Sequence, residues 1–272
     1  MLAINITKEE LPTDDLQAIE LLLSRSPHNP PKLEDLWRLM DSVWDESGCD
    51  NKNYNKDKIA QFYNHPVWLL NGLFIEQDDV SMQHRQAISD WIVKKNLNRI
   101  LDYGGGFGTL ARIIAGKDST ISIDIYEPYP SEFAISRNSN YANIHFVSSL
   151  DKNYDCIVSI DVLEHVPDPL QVLATMIESV EEDGYLIIAN NFYPLIKCHL
   201  PATFHFRYAF HTFARLMGLE HLGQCKESHA FIYHKRELKP FSWRKIRMYE
   251  RISQIMFPFI KMIHSVYQIS TR

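Results

Sequence analysis

The run Ile100-Leu101-Asp102-Tyr103-Gly104-Gly105-Gly106-Phe107-Gly108-Thr109 decides how this chain folds. Its first residues favour a strand, its glycines mark a tight turn, and Leu110, Ile113 and Ile114 continue at a helical spacing. A chain that passes so abruptly from strand to helix needs permissive dihedrals. A ligand lying on that turn needs backbone without Cβ atoms, since the amides at the helix start then face it. Gly104, Gly106 and Gly108 answer both needs.

Outward from this turn the pattern repeats. Short β-rich runs stand at 100–102, 121–126, 144–147, 156–160 and 185–189, with segments of helical period such as 170–180 between most of them. Strands alternating with helices imply parallel pairing through crossovers, hence a doubly wound α/β sheet. A helix at 206–217 and strands at 222–226 and 230–234 complete seven strands. Upstream, residues 1–98 show no strand-like alternation and read as a helical cap. Helices are expected from Leu16, from Leu33, at 58–63 and at 81–95, the last opened by Ser81 as N-cap. Residues 99–236 form the α/β domain, and 237–272 a basic amphipathic helical tail broken by Pro258.

The glycine run resembles motif I of class I, Rossmann-like, S-adenosylmethionine-dependent methyltransferases, Asp/Glu-x-Gly-x-Gly-x-Gly, at every specified position. It fits the dinucleotide fingerprint Gly-x-Gly-x-x-Gly less well, because Thr109 stands at the third glycine. A second resemblance runs from Tyr154 through Leu163-Glu164-His165-Val166-Pro167-Asp168-Pro169, similar to the segment after strand four in small-molecule members of that family. Together the likeness covers 99–189 well and 206–234 loosely, and Ser148-Ser149-Leu150 replaces the usual Gly-Asp-Ala.

The resemblance implies S-adenosyl-L-methionine as cofactor, held by Asp102, Tyr103, Gly104, Gly106 and Gly108, with Ser149 and Leu150 toward the adenine. Glu127, at the end of the second strand, is positioned to accept both ribose hydroxyls, with Asp124 as its competitor. Asp161 would face the ammonium or the transferred methyl group. Methyl transfer from a sulfonium is an in-line displacement, so alignment carries most of the work and a base is needed only for a reluctant proton. His199 and His205 are candidate bases. His165 is a third, with a structural hydrogen-bonding role equally open. Tyr193 and Tyr208 would shape the acceptor side, and Tyr63 and Trp68 of the cap would close over the sulfonium. The histidine spacings offer no compact pair, so no metal is expected.

Composition limits the remaining choices. Apolar residues make up 45% and charged residues 23%, as in an ordinary globular chain. Net charge is −6, with nine Lys/Arg against two acids after position 234, +7, leaving the body at −13. That acidic body, and the absence of an Asn/Asp-Pro-Pro-Tyr/Phe motif, argue against nucleic acid as substrate and for a small-molecule acceptor. Thr109 and Leu-Glu-His-Val argue against an NAD-dependent oxidoreductase, while an inactive cofactor-binding scaffold stays open. Four dispersed cysteines, and Lys8, Glu9 and Glu10 where a signal sequence would be apolar, fit the cytoplasm. The tail could meet a membrane surface, a lipid-linked substrate, its own domain or the second subunit of a homodimer.

Overall fold

The computed structural model describes residues 11–236 and 239–270; the Lys8-Glu9-Glu10 segment lies outside them. Five helices come first: α1 (Thr13–Ser24), α2 (Leu33–Glu46), α3 (Lys56–Tyr63), α4 (Pro66–Ile75) and α5 (Asp79–Lys94). The α/β part then runs β1 (Arg99–Tyr103), α6 (Thr109–Lys117), β2 (Ser122–Tyr126), α7 (Glu132–Asn138), β3 (Ile144–Val147) and β4 (Tyr154–Ile160). It continues with α8 (Pro169–Ser179), β5 (Val180–Ala189), α9 (Phe206–Leu216), β6 (Leu219–Gln224) and β7 (Phe231–Lys235), and α10 (Trp243–Ser270) is the last element among the described residues.

The seven strands form one sheet in the order β3-β2-β1-β4-β5-β7-β6. Strands β1 to β5 pair in parallel, and β7 runs antiparallel between β5 and β6. Chain order reverses between β1 and β4. The crevice at the carboxyl ends of those two strands is where an open α/β sheet binds ligands.

Apolar residues on both faces of the sheet explain its near-continuous hydrophobic strands. One face packs Leu101, Ile157, Leu186 and Ile188 on α8 and α9, through Leu173, Ile177, Phe210 and Phe213. The other packs Ile100, Ile123, Val158 and Ile187 on α5 and α6, through Ile88, Ile92, Leu110 and Ile114. A third cluster joins α1 to α4, where Leu36, Trp44, Phe62 and Leu70 meet Phe107 and Phe133 of the α/β part. The cap's own core therefore ends with α4. The boundary expected at 98 divides α5 from the sheet it covers.

Four local expectations change. Helix α4 was hidden by Pro66, which occupies the first turn, where its missing N–H costs nothing, while the His65 imidazole accepts from Val67 N. Helix α5 is capped by Asp78, whose carboxylate accepts the Ser81 N–H at 2.8 Å, so Ser81 is inside the helix rather than its cap. Helix α10 passes through Pro258. An interior proline removes one hydrogen bond and favours a kink, which is not the same as an end. Strand β6 begins at Leu219, three residues before the expected start, because α9 ends at Leu216 and Gly218, at φ +95°, turns the chain straight into the strand. No helix among the described residues is long and apolar enough to cross a membrane.

Candidate functional site

The glycine turn sits at the carboxyl end of β1. Its backbone is tied down by Gly104 N donating to Tyr126 O at 2.7 Å and Gly108 N to Gly105 O at 2.8 Å. Gly108 caps α6 with φ +71°, and a Cβ there would lie 2.6 Å from the Asn138 amide. That amide is itself held by Phe107 O and Ala134 O. Gly106 differs. Its φ is +49°, yet a Cβ would meet nothing nearer than Glu127 Oε2 at 4.0 Å, so its missing side chain faces open space beside a carboxylate.

Glu127 completes this cradle. It accepts Gly106 N at 3.0 Å and Tyr129 N at 3.1 Å, and burial holds its carboxyl above the usual range despite both bonds. Asp102 lies under the turn, nearly inaccessible, where burial pushes its carboxyl up to about 7 against the pull of Arg85. Tyr103 and Tyr126 pack ring to ring at 5.0 Å, with Val147 and Leu150 on the same cluster, and Ser149 is exposed. Asp124 is engaged elsewhere, accepting the Tyr154 hydroxyl at 2.8 Å. Asp161, just past β4, adopts φ +53° and hangs its N–H on Ala189 O at 2.9 Å. Left-handed backbone at a non-glycine residue costs about 1–3 kcal/mol and concentrates at functional sites. The half-exposed Asp161 carboxylate lies 3.8 Å from His229 Nε2.

Across the crevice the cap brings an aromatic wall to the end of β4. Tyr63 stacks on Tyr129 at 5.6 Å and lies 4.9 Å from Trp68. Both reach the His165 imidazole, edge to face, at 6.4 and 6.2 Å, and His165 in turn lies 4.8 Å from His199. The cap is latched by Glu76 at the end of α4, which accepts the Thr109 hydroxyl at 3.0 Å and pairs with Arg112 and with Arg137 at 2.9 Å.

His165 Nδ1 faces Cys198 O at 3.2 Å, and His199 Nδ1 faces Tyr193 O at 2.6 Å. Burial, with His199 beside it, holds His165 down at about 3, and burial also lowers His199, so both are neutral near pH 7. Glu164, which the sequence reading left without a role, is fully buried beside them. Its Oε1 accepts Asn191 N at 2.6 Å, while Oε2 has no partner among the described residues. Trp68 Nε1 and the Asn190 and Asn191 side-chain oxygens are also buried and unpartnered. Buried polar atoms left unpaired are costly, so such a group beside a crevice marks a place for a ligand.

Two expected residues are placed apart from this group. His205 packs on Phe206 and donates to or accepts from Ser253 of α10 at 2.9 Å. Tyr208 stacks on His264 of α10 at 4.5 Å. Both rings contact the α9–α10 seam, and Arg207, which lies over Tyr193, is 5.9 Å from the Tyr208 ring. Tyr193 stays near the crevice, half-exposed, with the Arg207 guanidinium 3.5 Å over its ring.

With this geometry in view, comparison with known proteins decides the family. Residues 77–239, more than half of the chain, match the model of a methyltransferase domain. The chain belongs to this methyltransferase-domain family. The matched span starts just before α5, where the sheet's own core begins. Ubiquinone biosynthesis O-methyltransferase of Thiobacillus denitrificans is 28% identical over 106 residues, covering 34% of this chain and 44% of that one. The same-named protein of Rickettsia prowazekii is 25% identical over 150 residues, covering 50% and 59%. The chain thus spans about half the length of the curated relatives it matches. The solved CurJ carbon methyltransferase shares the fold at TM-score 0.54 and 11% identity, over 83% of this chain and 72% of that one.

The cofactor of this methyltransferase family is S-adenosyl-L-methionine, and the residues present fit it. The open face of Gly106 admits a ligand against backbone, and Glu127 keeps lone pairs free for two hydroxyls. Asp161, at φ +53° just past β4, keeps a half-exposed carboxylate of the charge that suits an ammonium.

Proposed function

We propose that this protein transfers a methyl group from S-adenosyl-L-methionine to a small molecule, at an oxygen, nitrogen or carbon atom. The names of the curated relatives favour oxygen among the three. The observation that carries the reading is the pairing of Gly106, whose Cβ side is open, with the carboxylate of Glu127. The cofactor, when bound, supplies the electrophilic methyl carbon.

The protein's part is alignment and exclusion of water. Tyr63, Trp68 and Tyr129 cover the crevice, and the unpaired Asn190 and Asn191 oxygens offer acceptors to orient a bound molecule. Where the acceptor is a hydroxyl, its proton passes to His199 Nε2. That nitrogen keeps its lone pair because Nδ1 donates to Tyr193 O. His165, held down at about 3, is too weak a base and orients instead. The test is turnover of labelled S-adenosylmethionine against a panel of hydroxylated acceptors, with His199→Ala as comparison. Loss of about 10²–10⁴-fold in kcat is expected of a base. Tight cofactor binding with no turnover on any acceptor would favour the scaffold reading.

The partner of α10 is part of the same proposal. Met248, Ile252, Ile255, Phe259, Met262 and Ile263 are all exposed. At 3.6 residues per turn they fall within an arc of about 100°. Arg244, Lys245 and Arg251 flank that arc and are exposed, while Glu250 lies on the other side, paired with Arg247. An apolar stripe edged by cations suits an anionic lipid surface better than a second copy of the same basic stripe. Co-sedimentation with phosphatidylglycerol vesicles, lost in Phe259→Glu, is expected; a concentration-dependent dimer lost in the same variant would replace it.

A further inference from the structure

We infer that Glu164, His165 and His199 form a binding site for one divalent transition-metal ion, open on the side where the acceptor enters. Each offers one ligand atom, and the three atoms lie within 4.8 Å of one another. Zinc sits about 2 Å from nitrogen and oxygen donors, so the three must close to roughly 3.4 Å for a tetrahedral site.

Orientation carries the argument further than proximity. A carbonyl oxygen can only accept, so His165 Nδ1 donates to Cys198 O at 3.2 Å, and His199 Nδ1 donates to Tyr193 O at 2.6 Å. Both rings are therefore fixed in the tautomer that presents an Nε2 lone pair. Metal-binding histidines are held by the same outer contacts. The carboxylate matches. Glu164 is fully buried, anchored through Oε1 on Asn191 N at 2.6 Å, and its Oε2 has no partner among the described residues.

Two histidines and one carboxylate with a fourth position free are the ligand set of a catalytic zinc site, and the borderline softness of imidazole disfavours calcium or magnesium. The ligand for the fourth position is a hydroxyl oxygen of the acceptor, which rests on the methyltransferase reading above. Coordination lowers the pKa of a bound hydroxyl, so the proton leaves to solvent before the oxygen attacks. In the metal-bound protein His199 is then a ligand rather than the base.

Metal binding is tested without cofactor or acceptor, so its failure is separate from failure of the methyltransferase reading. Protein stripped with a chelator and dialysed is titrated calorimetrically with zinc. One strong equivalent is expected, weakened more than about 100-fold in His199→Ala and in Glu164→Gln. His211→Ala is the control, since His211 and His221, 4.3 Å apart, form a second histidine pair that could take zinc. Absence of zinc binding, or binding kept in His199→Ala and lost in His211→Ala, overturns the inference. Wild-type crystals soaked in zinc remove any dependence on variant folding. An anomalous peak between Glu164, His165 and His199 supports the site, and a peak only elsewhere refutes it.

Discussion

Replacing Gly106 by alanine separates binding from folding more cleanly than any other change in the glycine turn. At φ +49° an alanine pays left-handed strain of about 1–2 kcal/mol. It adds no clash, because the new Cβ has only Glu127 Oε2 at 4.0 Å near it. For a domain of this size that lowers the melting temperature by about 2–8 °C. The same methyl group stands in the open space where the cofactor must approach backbone. Overfilling a contact costs about 1–3 kcal/mol, which is about 5- to 150-fold in affinity. Gly104→Ala is the contrast, since its Cβ would lie 2.4 Å from Val162 Cγ2 and the packing itself must give. Thermal unfolding should therefore rank Gly104→Ala below Gly106→Ala, and calorimetry with S-adenosylmethionine should find Gly106→Ala folded but weak. Binding within about 2-fold of wild type in Gly106→Ala would refute the reasoning, because no ligand could then lie over that residue.

Glu127→Gln should fold, since an amide oxygen can still accept one loop N–H, and should lose about 10-fold or more in cofactor affinity by calorimetry. Glu76→Ala leaves Arg112, with its side chain 11% exposed, short of its partner, and should cost about 2 kcal/mol by urea unfolding, short of a fully buried pair. Unchanged stability there would mean the latch of the cap lies elsewhere. Burial holds the His205 imidazole down at about 4, below its ordinary 6.5. The unfolded chain therefore binds the extra proton first, and stability falls as pH drops below about 6.5 toward 4. His205→Leu should flatten that fall by up to about 3 kcal/mol, read as the pH dependence of unfolding free energy. An identical pH profile in the variant would show that His205 is not the group responsible.

What the sequence reveals follows from how local each signal is. The turn from β1 into α6 is written in consecutive residues, and its glycines fix both the fold and the open face at Gly106. The place of Glu127 beside the turn was legible because an acid at the end of the next strand has a defined position in a parallel sheet. The contacts of His205 and Tyr208 with Ser253 and His264 were not legible, because those partners lie about fifty residues away on a helix whose docking has no local signature. The surroundings of Glu164 were illegible for a related reason. Its neighbour in sequence is His165, but the third member of the trio, His199, is supplied by the loop after β5. Helix α4 disappeared behind Pro66 and a run that is apolar on every side, where no period can be read.

Calorimetric titration of the wild-type protein with S-adenosylmethionine and, separately, with NAD tests the account at its centre. Binding of S-adenosylmethionine with a dissociation constant on the order of micromolar, and none of NAD, is what the cradle of Gly106 and Glu127 predicts. Tight NAD binding with no response to S-adenosylmethionine would contradict the account and leave only the fold.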